Sequence, residues 1–465
     1  MTLGVGTKTS DSTVNVALTM TTRKSTARGN MERRTFLIAG TAALAACSSP
    51  GTTSTAQVPG TPPTGSATDW KWVRAQFNLA PDHIHMSSFL ISSYPRSVRE
   101  EIERHRREID QNPPLALKDG HSKSAQVTAV AAEYLGGSPQ EVALTDSTTM
   151  GLALIYHGLP LRAGQELLTT VHDHYSHHES IRLAAGRVRA TMRKVALYDE
   201  PVTASEDEIV DRLRRALRAE TRVVGLTWVH SSTGVKLPLR AIGAALAEHN
   251  AHRSDSEPVL LVVDGVHGFG VEDEAIATLG LDFFAAGTHK WILGPRGTGV
   301  IWGRNARWSD LQPTIPAFQQ ELSAAWLEDH PPAGPTQASW VTPGGFKAFE
   351  HLWALPAAFA FHRQLGRAQV AQRIHQLNTQ CKDGLAAMKH IRLHTPRDSG
   401  LSSGIICFEV DAIAPDAAVA RLLERRVVAS ASPYAKSYVR LAPSLVNSPA
   451  DVDAALTAVR SLAHS

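Results

Sequence analysis

The feature that most constrains the fold is a regular alternation of strand-like and helical segments between residues 141 and 303. Segments with helical spacing separate a series of continuously apolar stretches, namely "EVALT", "QELLTTV", "RVVGLTWV", "PVLLVVDGV" and "DFFAAGT". Strands that are apolar along their whole length indicate a sheet buried on both faces. We therefore predict an α/β fold with a large, mostly parallel sheet covered by helices. The short glycine-rich turn before "TGVIWG" allows that last strand to run antiparallel, which makes the sheet mixed.

The sequence on either side of this region follows a different pattern. Residues 69–110 end in the charged helical stretch "PRSVREEIERHRREID", and we predict that they form an arm that packs on a smaller domain. After residue 340, a long helical stretch from "GGFKAF" to "GLAAM" precedes short strands and two further helices. This pattern predicts a large domain at 111–340 and a smaller α+β domain at 341–465.

The first 47 residues are typical of a targeting segment. The stretch "MERRTFLIAGTAALAACSSP" combines paired arginines with a weakly apolar run that is too short to span a bilayer. Arg33 and Arg34 resemble a twin-arginine export signal, and "LAAC" resembles a lipobox in which Cys47 is lipidated. An ordinary cleaved signal with a chance cysteine is the alternative.

These features predict an exported lipoprotein of the periplasm or cell envelope, attached to the membrane only through its N-terminal lipid. Residues 1–30 resemble an upstream mis-start or a disordered extension, and the composition of residues 48–68, rich in Ser, Thr, Pro and Gly, predicts a flexible tether.

The charge distribution argues against nucleic acid as a partner. The formal net charge is +3, but residues 1–46 hold six Lys or Arg and two acidic residues, so the rest of the chain is close to −1. A nucleic-acid binder needs clustered positive charge in its folded part, and no such stripe is seen. Cys381 and Cys407 form neither a disulfide framework nor a CxxC pair, and we expect both to be buried and inert.

Polar residues stand where the apolar runs stop, which is the edge at which open α/β sheets bind ligands. Ser147, Thr148 and Thr149 lie at a strand-to-helix junction, where hydroxyls and unpaired amides suit a phosphate; simple helix capping is the alternative. Asp264 ends a buried run, where its carboxylate can cap the next helix or keep a heteroaromatic ring nitrogen protonated. His267 follows three residues later.

A dense set of polar residues follows the run "QELLTTV", namely His172, Asp173, His174, His177 and His178. Such a cluster is typical of a metal site, but no Cys or Glu arrangement completes a common zinc pattern. Histidine also serves as an aromatic platform, and we predict no metal.

Lys290 is the residue that links these groups to a single reaction chemistry, that of a Schiff base. It lies between an apolar run and a glycine-rich run, where a low dielectric lowers the affinity of lysine for its proton, and a neutral amine attacks an aldehyde to form a Schiff base. A phosphate cup, a carboxylate for a ring nitrogen, a flat stacking residue and a Schiff-base lysine together form the apparatus for pyridoxal 5'-phosphate.

From about Trp70 to the C-terminus the chain resembles the class V aminotransferases of fold type I. It is most similar to the isopenicillin-N-epimerase-like branch and to exported relatives that tailor the siderophore pyoverdine. The resemblance is carried by "TDSTTMGLAL", "DHYSH", "VHSSTGVKLP", "VVDGVHGFG", "THKWILGPRGTG" and "YVRLAPSLVNSPADVD".

The resemblance implies a role for each matching residue. Lys290 is the Schiff-base lysine, Asp264 binds the pyridine nitrogen, and His174 stacks on the ring. Arg440 binds the substrate carboxylate, for which its planar fork is suited. The remaining implied cofactor contacts are the phosphate ligands Ser147, Thr148 and Thr149, His267 and His230 near the ring hydroxyl, and Thr288 and His289. The resemblance also implies a homodimer.

The sequence departs from the family at three points. Many relatives have serine three residues before the lysine, whereas this chain has Gly287 followed by Thr288. A Gly-Thr pair that reaches the partner's phosphate in relatives is replaced by "GPTQASW", which contains Thr336. Cysteine desulfurases need a mobile-loop cysteine before the substrate arginine, and "SASPYAKSYVR" has none, which argues against that activity.

The motifs therefore predict a transferase that acts on an amino acid or an amino-acid-derived group, as a small molecule or as part of a secreted peptide or siderophore. Transamination, epimerisation or racemisation, and a lyase reaction all use the same motifs. A non-catalytic binding lipoprotein is the competing class, but such a protein has no need of an electron sink.

Overall fold

A seven-stranded sheet lies at the centre of the fold in the computed structural model, which describes residues 69–254 and 257–464. The predicted export signal with Cys47 and the predicted tether at 48–68 lie outside the described residues. The strands of this sheet are β2 (Val142–Thr145), β3 (Glu166–Thr170), β4 (Thr191–Val195), β5 (Thr221–Thr227), β6 (Leu260–Asp264), β7 (Phe283–Gly287) and β8 (Gly299–Gly303).

The order of these strands is β2-β8-β7-β6-β5-β3-β4. β4, β3, β5, β6 and β7 pair in parallel, whereas β8 is antiparallel to both β7 and β2. The predicted mixed, mostly parallel sheet is confirmed, including the reversed strand "TGVIWG". Because β7 and β8 are joined by a short turn, the chain has no room for the crossover that a parallel pair requires.

Apart from the edge strand β4, whose residues are exposed or half-buried, the sheet is buried on both faces, as its continuously apolar strands predict. In β6, Leu261 and Val263 belong to one core cluster, and Leu260 and Val262 belong to a second. The alternation follows from the two-residue repeat of a strand, which sends successive side chains to opposite faces. Helices cover both faces, so only the ends of the strands are left for polar residues.

The helices that precede or connect these strands are α1 (Trp70–Ala75), α2 (Arg96–Gln111), α3 (Pro113–Ala116), α4 (Gly120–Leu135), α5 (Thr148–Gly158), α6 (Tyr175–Val188), α7 (Glu206–Ala216) and α8 (Leu239–Asn250). The helices that follow β8 are α9 (Gln320–Leu327), α10 (Ala338–Val341), α11 (Phe349–Leu365), α12 (Arg367–Ala386), α13 (Pro415–Glu424) and α14 (Pro449–Arg460). Short 3-10 turns occupy Pro139–Glu141, Pro201–Thr203, Ile276–Thr278, Asn305–Asp310 and Ser461–His464.

A second sheet of four strands lies in the C-terminal part of the chain, in the order β12-β13-β10-β9. Its strands are β9 (Ile391–Leu393), β10 (Ile406–Val410), β12 (Ser430–Ala431) and β13 (Val439–Leu441). The N-terminal arm joins this region, because β1 (Ile84–His85) pairs in parallel with β11 (Val427–Val428). The domain boundaries at 110 and 340 remain predictions.

The long helical stretch predicted after residue 340 is interrupted. It forms two helices, α11 and α12, that meet at Gly366, where φ is 83°. This backbone conformation strains residues with a side chain, so the glycine marks the break. Cys381 and Cys407 are both buried and unpaired, as expected. No helix among the described residues is both long and apolar enough to cross a membrane.

Candidate active site

A cavity of about 170 Å³ lies at the carboxyl ends of the central strands. Each strand contributes polar residues within a few positions of its last residue, so side chains that are far apart in the sequence meet here. Nine of the predicted site residues line this cavity: Ser147, Thr148, Thr149, His174, Asp264, His267, His289, Lys290 and Arg440.

Lys290 follows β7 by three residues and presents its amine to the cavity. Removal from water lowers the pKa of this amine to about 8; the nearby Asp264 opposes the change and Arg440 adds to it. The Nζ atom lies 3.3 Å from Nε2 of His267. A lysine with this pKa is a neutral amine for a useful fraction of the time near neutral pH, which is what attack on a carbonyl carbon requires.

Asp264 is the last residue of β6 and is 3% exposed. Its Oδ1 accepts a hydrogen bond from the Val266 amide at 3.1 Å, and no salt bridge with a described residue balances its charge. Burial raises the pKa of this carboxyl to about 6, against the opposing effects of the Val266 amide and Lys290. A buried carboxylate that forms no salt bridge with a described residue and faces a cavity fits a protonated ring nitrogen.

The residues after β2 form the other end of the cavity. Ser147 caps α5 by accepting a hydrogen bond from the Met150 amide at 3.2 Å. Thr148 is buried, and its hydroxyl accepts from the Gly287 amide at 2.8 Å, which ties this turn to the end of β7. Thr149 is exposed and lines the cavity. The free amides in the first turn of α5 and these hydroxyls suit a phosphate.

Gly287 leaves room for the ring of His289. A β-carbon on residue 287 would lie 2.9 Å from Cε1 of His289 and 3.4 Å from the hydroxyl oxygen of Thr148. The space beside residue 287 is therefore taken by an imidazole. Burial, helped by the positive charges of Lys290 and Arg296, lowers the pKa of His289, so its ring is neutral.

His174 presents a fixed aromatic ring to the cavity. It caps α6, and its Nδ1 accepts a hydrogen bond from the Ser176 amide at 3.3 Å and lies 2.9 Å from the Ser176 hydroxyl. Tyr434 packs edge-on against it at a centroid distance of 6.2 Å. Burial and the positive charges of Lys290 and Arg440 lower the pKa of His174. A neutral, oriented imidazole is suited to stacking on a flat ligand.

Arg440 stands in β13, on the wall of the cavity. Its Nη1 donates to the Ser231 carbonyl at 3.2 Å and its Nη2 to the Ala431 carbonyl at 2.9 Å, while its guanidinium lies 4.8 Å from the ring centre of Phe89. Its Nε is buried and has no hydrogen-bond partner. An immobilised arginine with an unused donor is a ready site for a carboxylate.

The predicted cofactor contacts His230 and Thr288, and also Thr336, do not line this cavity. His230 is buried beneath it, 2.8 Å from the Tyr198 hydroxyl and 3.5 Å from Asp173. Thr288 donates to the Thr298 carbonyl at 3.1 Å. Thr336 lines a separate cleft of about 680 Å³.

The histidine cluster after β3 has a structural explanation. Oδ2 of Asp173 accepts from the Thr169 hydroxyl and the Thr170 amide, both at 2.7 Å, and Oδ1 accepts from the Thr227 amide at 2.8 Å. Asp173 thereby ties the ends of β3 and β5 together beside His174. Within residues 69–254 and 257–464, no group of three or more His, Cys, Asp or Glu is arranged to hold a metal ion.

Sequence reasoning missed several contributors to the site, among them Phe89 in its lining and Trp291 behind it. Phe89 comes from the N-terminal arm, and nothing in its sequence context points to the cavity. Trp291 donates from Nε1 to Nδ1 of His267 at 3.4 Å. Its position directly after Lys290 is the one signal that could have drawn attention to it.

The fold and the site define the class of protein. The strand ends of a mostly parallel sheet bring together a lysine, an unbalanced carboxylate, a neutral imidazole and a helix N-terminus. This set of groups fits pyridoxal phosphate, because each part of that cofactor meets a matching group. Residues 115–433 match the family model for aminotransferase class-V. The chain belongs to this family, whose members depend on pyridoxal phosphate.

Two curated relatives illustrate the range of the family. Isopenicillin N epimerase from Streptomyces clavuligerus is 26% identical over 354 residues, covering 74% of this chain and 84% of the relative. A cysteine desulfurase from Klebsiella pneumoniae is 25% identical over 307 residues, covering 62% of this chain and 69% of the relative.

Solved structures share the fold. The cystine C-S lyase C-DES, in complex with its reaction product cysteine persulfide, superposes with a TM-score of 0.74 at 22% identity, covering 82% of this chain and 98% of that chain. The cysteine desulfurase CsdA from Escherichia coli superposes with a TM-score of 0.73 at 19% identity, covering 86% of this chain and 99% of that chain. The predicted fold type I architecture is therefore confirmed.

Proposed function

We propose that this protein is a pyridoxal-phosphate enzyme that moves the Cα proton of an amino acid or an amino-acid-derived group, with an aminotransferase-like outcome. The observation that carries the proposal is that Lys290, Asp264 and Arg440 line one cavity. These groups are a base, a carboxylate for a ring nitrogen and a cation for a substrate carboxylate.

Each residue has one task in this proposal. When bound, pyridoxal phosphate acts as an electron sink for the carbon that loses its proton. Lys290 would hold the cofactor covalently, and its neutral Nζ would serve as the base that takes and returns the Cα proton. Asp264 keeps the ring nitrogen protonated. Arg440 binds the substrate carboxylate, and His174 fixes the plane of the ring.

The covalent claim is tested by borohydride reduction of the cofactor-loaded protein, followed by mass spectrometry of its peptides. We expect the adduct on Lys290. Lys382 is a matched control, because burial also lowers its pKa to about 8, yet its amine donates to the Pro396 carbonyl and lies outside the cavity. An unmodified Lys290 peptide in a saturated, reduced sample contradicts the proposal.

Epimerisation is the second candidate, and it is favoured by a specific observation. Two isopenicillin N epimerases, from Streptomyces clavuligerus and Amycolatopsis lactamdurans, are among the similar proteins. Incubation with single amino acids in deuterated water separates the outcomes. Transamination yields a 2-oxo acid, whereas epimerisation yields the opposite configuration with deuterium at Cα.

We do not propose sulfur transfer through a cysteine. The two cysteines of the described region, Cys381 and Cys407, are buried and do not line the cavity. Burial also raises the pKa of both thiols to about 12, which suppresses the reactive thiolate.

We further propose that the enzyme is exported by the twin-arginine route, anchored through Cys47, and acts on a group within a secreted peptide or siderophore. Support comes from Arg33 and Arg34, from "LAAC", and from the need of a cofactor enzyme to fold before it crosses the membrane. Leu90, which is 45% exposed and lines the cavity, offers an apolar edge to a larger substrate. Replacing both arginines by lysine should stop export, and undiminished export contradicts this route.

A further inference from the structure

An indole N–H touches an imidazole that contacts the reactive lysine. Nε1 of Trp291 donates to Nδ1 of His267 at 3.4 Å, and the other ring nitrogen, Nε2, lies 3.3 Å from Nζ of Lys290. Trp291 and His267 are 4% and 5% exposed, so water competes little for these contacts. The three side chains form a line that ends at the amine.

His267 is a neutral ring in this setting. Burial lowers its pKa well below the ordinary value, and positive charges around it act in the same direction. The titratable groups that face it are Lys290, Arg440, His174 and His289, and the ring of Phe89 packs on it at 5.7 Å. A neutral imidazole carries one N–H, so its two nitrogens have opposite roles.

The indole decides which nitrogen carries the proton. Indole N–H is a donor only, so the atom that it faces must offer a lone pair. Nδ1 of His267 is therefore unprotonated, and the ring proton lies on Nε2, the nitrogen that faces Lys290. This N–H needs an acceptor, and Nζ has a lone pair only as a neutral amine, since an ammonium group has donors alone.

We propose that Trp291 is a positioning residue that acts through the tautomer of His267 to favour the neutral amine of Lys290 whenever this amine is free. The inference rests on the proposed function in one respect, namely that the neutral amine of Lys290 is the reactive form. Loss of the indole N–H makes the two tautomers of His267 comparable. The alternative tautomer accepts a hydrogen bond from an ammonium group and so favours the unreactive form of Lys290.

The indole is well placed for this task, because its surroundings hold it still. A β-carbon on Gly404 would lie 2.4 Å from Cη2 of Trp291, so the ring packs directly on that glycine. The Trp291 carbonyl accepts a hydrogen bond from Nε2 of His362 at 2.9 Å. These contacts restrain both the ring and the backbone of Trp291.

The tautomer is measured directly in the cofactor-free wild-type protein, in which the Lys290 amine is free, by ¹⁵N NMR of histidine-labelled protein, with His267→Gln used to assign the signal. We expect the shift of an unprotonated nitrogen at Nδ1 and of a protonated nitrogen at Nε2. The opposite pattern overturns the proposal. This measurement needs no turnover, so it is independent of the proposed reaction.

The effect on Lys290 is measured as the rate at which cofactor-free protein takes up pyridoxal phosphate at different pH values. In Trp291→Phe we expect the midpoint of the rate profile to rise by about 0.5–1 pH unit, which makes uptake about three- to tenfold slower below the midpoint. Trp308→Phe is the matched control, since it also removes a buried indole N–H, the donor to the Gly303 carbonyl at 3.1 Å, but lies outside this cavity.

The control should keep the wild-type midpoint. An unshifted midpoint in Trp291→Phe, or an equal shift in both variants, overturns the proposal. Borohydride trapping at Lys290 in all three proteins separates this result from failure of the proposed function, because trapping without a shifted midpoint removes only the role of Trp291.

Discussion

At the scale of single residues, the site depends on charges that the fold leaves unbalanced. Asp264 is buried without a salt bridge to a described residue, and Arg440 is buried with an Nε that has no partner. Buried groups of this kind cost free energy unless a ligand satisfies them. A ligand that carries both a positive ring nitrogen and a carboxylate would satisfy both groups, in agreement with the function proposed above.

The role of Arg440 leads to a prediction for the substitution Arg440→Lys. Lysine keeps the charge but loses the planar fork and the two bonds to the carbonyls of Ser231 and Ala431. We expect the KM for the amino substrate to rise roughly tenfold or more, with unchanged cofactor content, because about 1.5–3 kcal/mol of charge-assisted hydrogen bonding is lost. Steady-state kinetics and the cofactor absorbance measure the two quantities.

A matched control is available in Arg373. It is 7% exposed, donates to the Asn447 carbonyl at 3.0 Å and stacks on Trp70, but it lies outside the cavity. Arg373→Lys should lower stability without a change in KM. If Arg440→Lys binds substrate as the wild type does, the arginine has another role.

At the scale of elements, the positions of the active-site loops depend on a few buried hydrogen bonds. Asp173 accepts from three donors at the ends of β3 and β5 and so fixes the turn that carries His174. Burial alone raises the pKa of Asp173, but its hydrogen bonds and the neighbouring imidazoles hold the pKa well below the ordinary range. The carboxylate is thus a structural anion and not an acid–base group.

Asp173→Asn tests this anchoring. The amide turns a donor toward groups that already donate, so we expect the free energy of unfolding to fall by about 3 kcal/mol in denaturant melts. Asp146→Asn is the control, since Asp146 follows β2 but is partly exposed and lies 3.9 Å from Lys347. The control should change stability by less than about 0.5 kcal/mol. Equal effects in both variants contradict the anchoring role.

How far the sequence predicts these elements depends on the range of the interactions involved. The strands were predictable because apolar runs are local, and the positions of Asp264 and Lys290 followed from where those runs stop. The hydrogen bond from the Gly287 amide to Thr148 joins residues far apart in the chain, and so does the approach of Phe89. No local pattern records such contacts, so the sequence could name Thr148 but not the bond that holds it.

At the scale of the whole molecule, the two sheets and the N-terminal arm together complete the cavity. Lys290 and Asp264 come from strand ends of the large sheet, Arg440 comes from β13 of the second sheet, and Phe89 follows β1. Ligand binding therefore involves all three parts of the described chain. A ligand that binds only the folded state stabilises it by mass action. Cofactor binding should therefore raise the free energy of unfolding of the whole protein.

This stabilisation should depend on pH through Asp264. Burial raises the pKa of this carboxyl from its ordinary value near 3.8 to about 6 in the folded protein without cofactor. A raised pKa means that its contribution to stability is complete below pH 4 and is lost as pH rises through about 6, a loss of about 3 kcal/mol. A protonated ring nitrogen supplies the missing counter-charge. We therefore expect the difference in Tm between cofactor-saturated and cofactor-free protein to grow between pH 5 and pH 7.

Scanning calorimetry of both forms across this window measures the effect, and Asp264→Asn isolates its cause. The amide does not titrate and keeps the size of the side chain and an oxygen for the Val266 amide. The variant should therefore show a Tm difference that is nearly flat from pH 5 to pH 7. Lys290, whose pKa is about 8, titrates largely above this range and contributes little to the slope. An equal slope in wild type and variant would show that Asp264 does not pair with the cofactor, and the buried carboxylate would then need a different counter-charge.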